Sequence, residues 1–581
     1  MSVRNDLLRS YETGNFLETV YARALADQND HSALVLELVA LHNERLIDIV
    51  GAFESLKNNS SNGPDFFLTR HVFEKALPDL NAPVASVMQC VVQLYHDAGQ
   101  DVVAGTIING FIDFCAKEPS RPSEALAEIE AKPDKFVDLL PATLIAGSRF
   151  DCPLYLRETL RLCDHKNIDL RRRAVFSVGK LNLPDGVTGS AFTALERSST
   201  VETDDKVLSS IIRSAFSLLQ RDKSQEPRAI ALIICALVKG DDYALHAASE
   251  IFGFHTGEVP TALLEAFFVH LVRVKTTNKG TLDHVDYGIY HLLKNGDAEK
   301  AIRFLEALLL THSGELTMEV FDSAAREIFS NKKLLSKVLT RWFLRGDRVL
   351  CESVHTIIST HLLDDIPLEI DPDELKSAGF MHIIFVARKA IGFLFTQPIS
   401  AATILISLMR NTTDKEVMTN LGALLFNPLL LNFTGKVRDF AEQRSGLESG
   451  EVKASIDQAL KDTDKYLEDL RSVGSLAALK PSEAQREAYH RYLAGIMAES
   501  WKAAESQSIF LDLVSKSVLL YGRKSIDYVY DPDGQSRRME IPLQRHSTDM
   551  EVPRMQIVDP FGLDYMLRIF RSERLKHEAH S

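Results

Sequence analysis

From about residue 5 to about residue 440, apolar residues recur at spacings of three and four, in runs of about 10–16 residues, each broken by a short polar turn. That spacing places the apolar side chains on one face of a helix. The alternation of a half-buried strand is missing over the whole stretch. A chain written this way has one economical way to bury its stripes, which is to stack many short helices against one another.

The clearest copy of the pattern lies at 155–183, YLRETLRLCDHKNIDLRRRAVFSVGKLNL. Leu156, Thr159, Leu160 and Cys163 share one face of a first helix, and His165, Lys166 and Asn167 interrupt it. Leu170, Ala174, Val178 and Leu181 form the stripe of a second helix, widened by Val175 and Phe176 and stopped at 184–186 by Pro-Asp-Gly. Asp169 offsets the three arginines that follow it at the helix start, where the macrodipole favours carboxylates. The run Leu170-Arg171-x-x-Ala174, continued by Ser177, Val178, Gly179 and Leu181, resembles the second helix of a HEAT repeat. The resemblance covers roughly thirty residues and implies the HEAT/armadillo-like helical-repeat class, without pointing to a member of it. Arg171, Arg172, Arg173 and Lys180 are candidate phosphate contacts, with an ordinary solvated face and intra-repeat bonding as the alternative.

No second copy of this signature matches it in quality, so the fold expected is an all-α, HEAT-like α-solenoid of degenerate helix pairs with a small C-terminal β-hairpin (α+β) module. A two- or three-domain helical protein without regular stacking is the alternative. Residues 1–56 are read as N-terminal helices, either a small bundle or part of the solenoid; the loop KNNSSNGP follows them, before a solenoid over 65–440. Residues 443–514 are charge-rich with a narrow stripe at Ile456, Leu460, Tyr466 and Leu470, which suits an exposed helical hairpin or extension. Within 515–581 the period changes: 525–530 and 538–543 read as strands around Asp-Pro-Asp-Gly at 531–534. A third strand is expected at 552–558, with Pro553 confining it to an edge or marking the strand start, before a helix at 563–576.

The chain of 581 residues carries a net charge of −14, which disfavours broad binding to nucleic acid or anionic membranes. Six scattered cysteines without a CxxC pair point to a reducing compartment, and the N-terminus has no apolar core, so a cytoplasmic location is expected. The most apolar region, 380–409, is interrupted by Arg388-Lys389 and Gln397-Pro398, so no membrane span is expected.

Chemical motifs are absent or fail on geometry. Asp371-Pro372-Asp373-Glu374-Leu375-Lys376 spells a PD-ExK nuclease motif, but its residues are contiguous and read as a turn or helix start. Ser177-x-x-Lys180 sits inside the proposed repeat helix without partner motifs. There is no HExxH, zinc-type Cys/His spacing, GxGxxG or Walker loop. No catalytic residue, metal or cofactor is therefore expected.

The C-terminal 516–581 segment holds 11 Lys and Arg against 10 Asp and Glu, near neutral on an acidic chain. Arg523, Lys524, Tyr528, Tyr530, Arg537, Arg538, Arg554, Phe561, Tyr565, Arg568 and Arg571 give it the arginine–tyrosine composition of interfaces. The expected function is a non-catalytic protein–protein interaction scaffold, with the solenoid surface and this module each contacting a partner and self-association as a further use. The alternative is a nucleic-acid-binding HEAT-like protein with a local basic surface.

Overall fold

The computed structural model describes residues 3–26, 31–58, 65–99, 105–184, 186–359, 366–376, 379–474, 481–507, 524–530, 536–542 and 551–575. They divide into two compact units, Met1–Glu327 and Ile328–Ser581, and are predominantly helical.

The first unit stacks helices in layers. Ile168–Val178, Asp205–Arg221, Asp242–His255 and Lys279–Lys294 form one layer, beginning 37 residues apart and each packed on the next. Thr188–Val201, Glu226–Lys239 and Thr261–Leu271 alternate with them in the other. One step along the stack carries Ala174 to Ile211, Ala248 and Val285, and Val178 to Ala215, Phe252 and Ile289; all are buried. Burial is kept at each step while volume is not, because a residue and its neighbours change size together. This is why the signature at 170–181 has no twin although its geometry repeats.

Polar side chains also link successive helix pairs. Arg173 pairs with Asp138, Arg197 with Asp164, Arg171 with Glu202 and Arg213 with Glu250, at separations of 31 to 37 residues. Helices 168–178 and 205–221 approach so closely that a Cβ on Gly179 would lie 2.6 Å from Ser214 Cα. Ser214 and Ser217 then donate their hydroxyls to the carbonyls of Val175 and Gly179, each at 2.7 Å.

Within the 155–183 pair, Asp151 caps the helix Cys152–Leu162 by accepting from the Leu154 amide, and Asn167 caps 168–178 through the Asp169 and Leu170 amides. The second stripe is buried in full at Leu170, Ala174, Val178 and Leu181. In the first, Leu156, Thr159 and Cys163 are buried and Leu160 is half-buried, while Tyr155 and Leu162 widen the buried face. The N-terminal helices Phe16–Ala26 and Ser32–Asn43 pack on Phe66–Ala76 within this same unit.

In the second unit, Phe380–Leu394 and Pro398–Arg410 supply an almost continuously buried centre. Gly450–Val473 is buried only at Ile456, Ala459 and Thr463, so the predicted narrow stripe ends halfway; Tyr466 and Leu470 are exposed. Glu483–Gln507 has no buried residue among those whose side chains are described. The backbone of Lys524–Tyr530 runs antiparallel to Ser536–Pro542, pairing Tyr528 with Arg538, while the turn 531–535 lies outside the described residues. The expected third strand is corrected: Arg554–Val558 is a helical turn, with Pro553 at its N-cap and the Met555 amide donating to Asn432 Oδ1 at 2.9 Å. Proline's missing donor and fixed φ suit a helix start better than a ladder position. The last helix, Pro560–Ser572, packs on 380–394.

All six cysteines are free thiols, four of them buried. Among the described residues no helix is long and apolar enough to cross a membrane, and no three His, Cys, Asp or Glu residues are grouped to hold a metal.

Candidate interaction surfaces

The structure distributes the sequence-predicted C-terminal residues rather than gathering them. Arg523 lies outside the described residues; Lys524, Tyr528 and Tyr530 fall on one strand, and Arg537 and Arg538 on the other. Arg554 sits over the Tyr466 ring, 5.4 Å from its centre. Arg571 is tied inward, its Nε donating to the Gly392 carbonyl at 2.5 Å. Arg568 pairs with Asp564 at 2.9 Å on the helix surface. Phe561 and Tyr565 are exposed, and Phe561 meets the Tyr489 ring edge-on at 5.9 Å.

The inward ties make the last helix part of its unit. Lys389, fully buried, donates Nζ to the carbonyls of Arg571 and Glu573 at 2.6 and 2.7 Å. Arg388 pairs with Glu573 at 2.9 Å, and the Glu551 carboxylate accepts from the amides of Gly435 and Lys436 at 2.7 and 2.8 Å. A lysine at a helix C-terminus meets the negative end of its dipole and its unpaired carbonyls.

The candidate phosphate ridge is likewise taken up internally. Arg171 bonds the buried Glu202 at 2.6 Å, Arg172 pairs with Asp169 at 3.3 Å, and Arg173 reaches back to Asp138. Burial pushes the Glu202 carboxyl up, but Arg171 and the amides of Asp204 and Thr203 outweigh it and hold it below the usual range. Lys180 is exposed, over the Phe176 ring. In the PD-ExK-like turn, Glu374 pairs with Arg341 at 2.9 Å and Asp373 with Lys376 at 2.6 Å.

A different surface emerges from helices 242–255 and 279–294, where no site was expected. Their buried faces are packed at Ala244, Ala248, Ile251, Leu282, Val285 and Ile289, so the opposite faces are rigidly held. Those outer faces bring rings together across the 37-residue step. His246 and His284 lie 5.0 Å apart, His284 and Phe254 5.0 Å, and Phe254 and Tyr287 5.8 Å. Tyr287 then contacts His291 at 4.4 Å and Tyr290 at 6.0 Å. Six rings thus form one unbroken ladder, with Phe254 58% and Tyr287 39% exposed. Tyr243, 52% exposed, lies one turn before His246.

The ladder's polar atoms are ordered too. Ser249 Oγ donates to the His246 carbonyl at 2.8 Å, so toward His284 Nδ1, 3.4 Å away, it accepts. The tautomer that completes this contact has its hydrogen on His284 Nδ1 and leaves Nε2 as the acceptor. His246 Nδ1 meets Thr281 Oγ1 at 3.0 Å. Burial holds both imidazoles below their usual pKa; Arg213 adds to this at each, while Glu250 opposes it. A trace was present in the sequence: Tyr243, His246 and Phe254 on one helix, and His284, Tyr287 and His291 on the next, put aromatic rings where a solvated face would carry charges.

No protein-family model matches the chain, and no curated protein matches it. A solved structure described as a conserved phosphorylation switch that controls the interaction between cadherin and beta-catenin is similar over 80% of this chain and 100% of its own, at 14% identity. Its TM-score of 0.17 carries no argument about fold or partner.

Proposed function

We propose that this protein is a non-catalytic interaction scaffold that holds an extended segment of a partner protein along the aromatic ladder of its first unit. The observation that carries the reading is the unbroken run of His246, His284, Phe254, Tyr287, Tyr290 and His291 on the outer faces of two helices whose inner faces are closely packed. Rigid, partly exposed aromatic rings with polar edges contribute large contact area at low entropic cost, and such side chains dominate binding energy at protein interfaces. Regular spacing along a helical stack suits an extended segment better than a globular knob. The alternative reading, nucleic acid, loses support because Arg171, Arg172 and Arg173 are each engaged by a carboxylate.

The test compares full-length wild type with a Phe254→Ala/Tyr287→Ala variant in affinity purification from the source cells with quantitative mass spectrometry. Both side chains are exposed, so thermal stability is expected to change little while at least one partner falls tenfold or more. An unchanged partner list with an unchanged melting temperature refutes the assignment.

A further inference from the structure

Two lysines flank the rings, one beside Tyr243, a turn before the ladder, and one at its Tyr290 end. Lys206 Nζ sits 5.2 Å from the centre of the Tyr243 ring. At the other end Lys294 Nζ lies 5.4 Å from the Tyr290 ring and donates to its hydroxyl at 3.0 Å. Among the described residues neither ammonium is in an ion pair, although Glu327 acts on Lys294 from a distance, whereas nearby Lys275 is paired with Asp241 and Asp242, and Arg213 with Glu250. At the His246 end of the ladder sits the His246–His284 pair, a second source of positive charge that appears only on protonation.

We propose that the segment held along the ladder is an acidic peptide with interspersed apolar side chains, and that it binds with uptake of a proton at the His246–His284 pair. This rests on the ladder being a partner site. The charged groups facing the pair are Arg213 from helix 205–221, Glu250 from helix 242–255 and Asp283 from helix 279–294. Arg213 and Glu250 bond each other at 2.7 Å, so their charges largely cancel at the pair. Asp283 alone is too little to draw a proton onto a ring that burial keeps neutral. A carboxylate from outside, placed at the free His284 Nε2, tips that balance, since an anion within about 4–6 Å favours the imidazolium. The histidine pair is then uncharged in the free chain near pH 7 and charged in the complex.

A phosphate backbone is also anionic, and aromatic rings also stack on bases. The geometry favours the peptide. Most of the ladder's contacts are edge-on or tilted, so the rings do not share one orientation on which successive bases could stack.

The experiment uses the full chain and four labelled probes in fluorescence anisotropy at pH 7.5, 6.5 and 5.5. Three are 12-residue peptides with the same alternating Phe, Leu and Pro positions, separated by Glu, Ser or Lys; the fourth is a 12-nucleotide oligothymidine. The Glu peptide is expected to bind at least fivefold tighter than the Ser peptide at pH 7.5. Its affinity should rise as pH falls, by up to about tenfold per unit for one proton taken up. Lys206→Ala with Lys294→Ala narrows the Glu–Ser gap at every pH, and His246→Gln with His284→Gln flattens the pH dependence. Calorimetry of the Glu peptide at pH 6.5, in buffers of different ionisation enthalpy, reads the proton directly. Equal affinities for the Glu, Ser and Lys peptides, or a proton count of zero, overturn this inference and leave the partner-site reading standing. Preference for oligothymidine replaces the peptide with nucleic acid. Binding of none of the four overturns both readings.

Discussion

Replacing Lys389 tests how the end of the chain is held. Its side chain is fully buried, its Nζ donates 2.6 and 2.7 Å bonds to the Arg571 and Glu573 carbonyls, and its ammonium stands 4.9 Å from the Phe385 ring centre. Each bond from a charged donor contributes about 1.5–3 kcal/mol, and a buried carbonyl stripped of its partner costs about 1–3 kcal/mol. Burial pulls the lysine's pKa below its usual value, so part of the gain is spent on desolvation. Lys389→Ala, which also leaves a cavity, is therefore expected to destabilise the second unit by about 3–5 kcal/mol. Lys389→Met keeps most of the packing and should cost about 2–3 kcal/mol, from the two lost bonds offset by the desolvation no longer required.

The chain's two tryptophans, Trp342 and Trp501, are both in this unit, Trp342 fully buried and Trp501 72% exposed. Urea unfolding followed by fluorescence in a Trp501→Phe background makes Trp342 the single reporter. Limited proteolysis of the same variants should show new cleavage within 551–575, because the helix C-terminus has lost its cap. A loss below about 1 kcal/mol for Lys389→Ala, with unchanged proteolysis, would refute the reasoning that this lysine clamps the final helix.

Two further outcomes follow from the first unit. Arg171→Ala leaves the buried Glu202 carboxylate without its cation and should cost about 2–4 kcal/mol, whereas Arg197→Ala, whose pair with Asp164 is exposed, should cost about 0.5 kcal/mol or less. Equal losses in urea midpoints would contradict this division. His246, His270 and His284 are all held below their usual pKa by burial, so the unfolded chain binds more protons than the folded one below about pH 6.5. Their contribution is complete above pH 6.5 and is lost as pH falls from there, at up to about 1.4 kcal/mol per unit for each histidine, less for groups this exposed. His246→Gln with His284→Gln should shrink the drop in stability between pH 7.5 and 5.5; an undiminished drop would assign it elsewhere.

The sequence by itself determined the parts of this protein that depend on near neighbours. Helix period, the caps at Asp151 and Asn167, and the stripe from Leu170 to Leu181 are local, since each involves residues a few positions apart. Burial register could also be read, because an apolar stripe must face a neighbour whichever neighbour it is. The 37-residue step was not legible, as Ala174, Ile211, Ala248 and Val285 share a place and not a shape. Only the tertiary structure decided the fates of polar and aromatic side chains. Three consecutive arginines were sent to Glu202, Asp169 and Asp138, and Lys389 found its acceptors 182 and 184 residues away. Six unremarkable rings became a single surface because the stack set two helices side by side. A buried face is constrained by the need to exclude water, which any apolar residue can meet, so it leaves a periodic trace. A polar or exposed side chain takes its meaning from the one group it meets, and that group is chosen by how the layers stack.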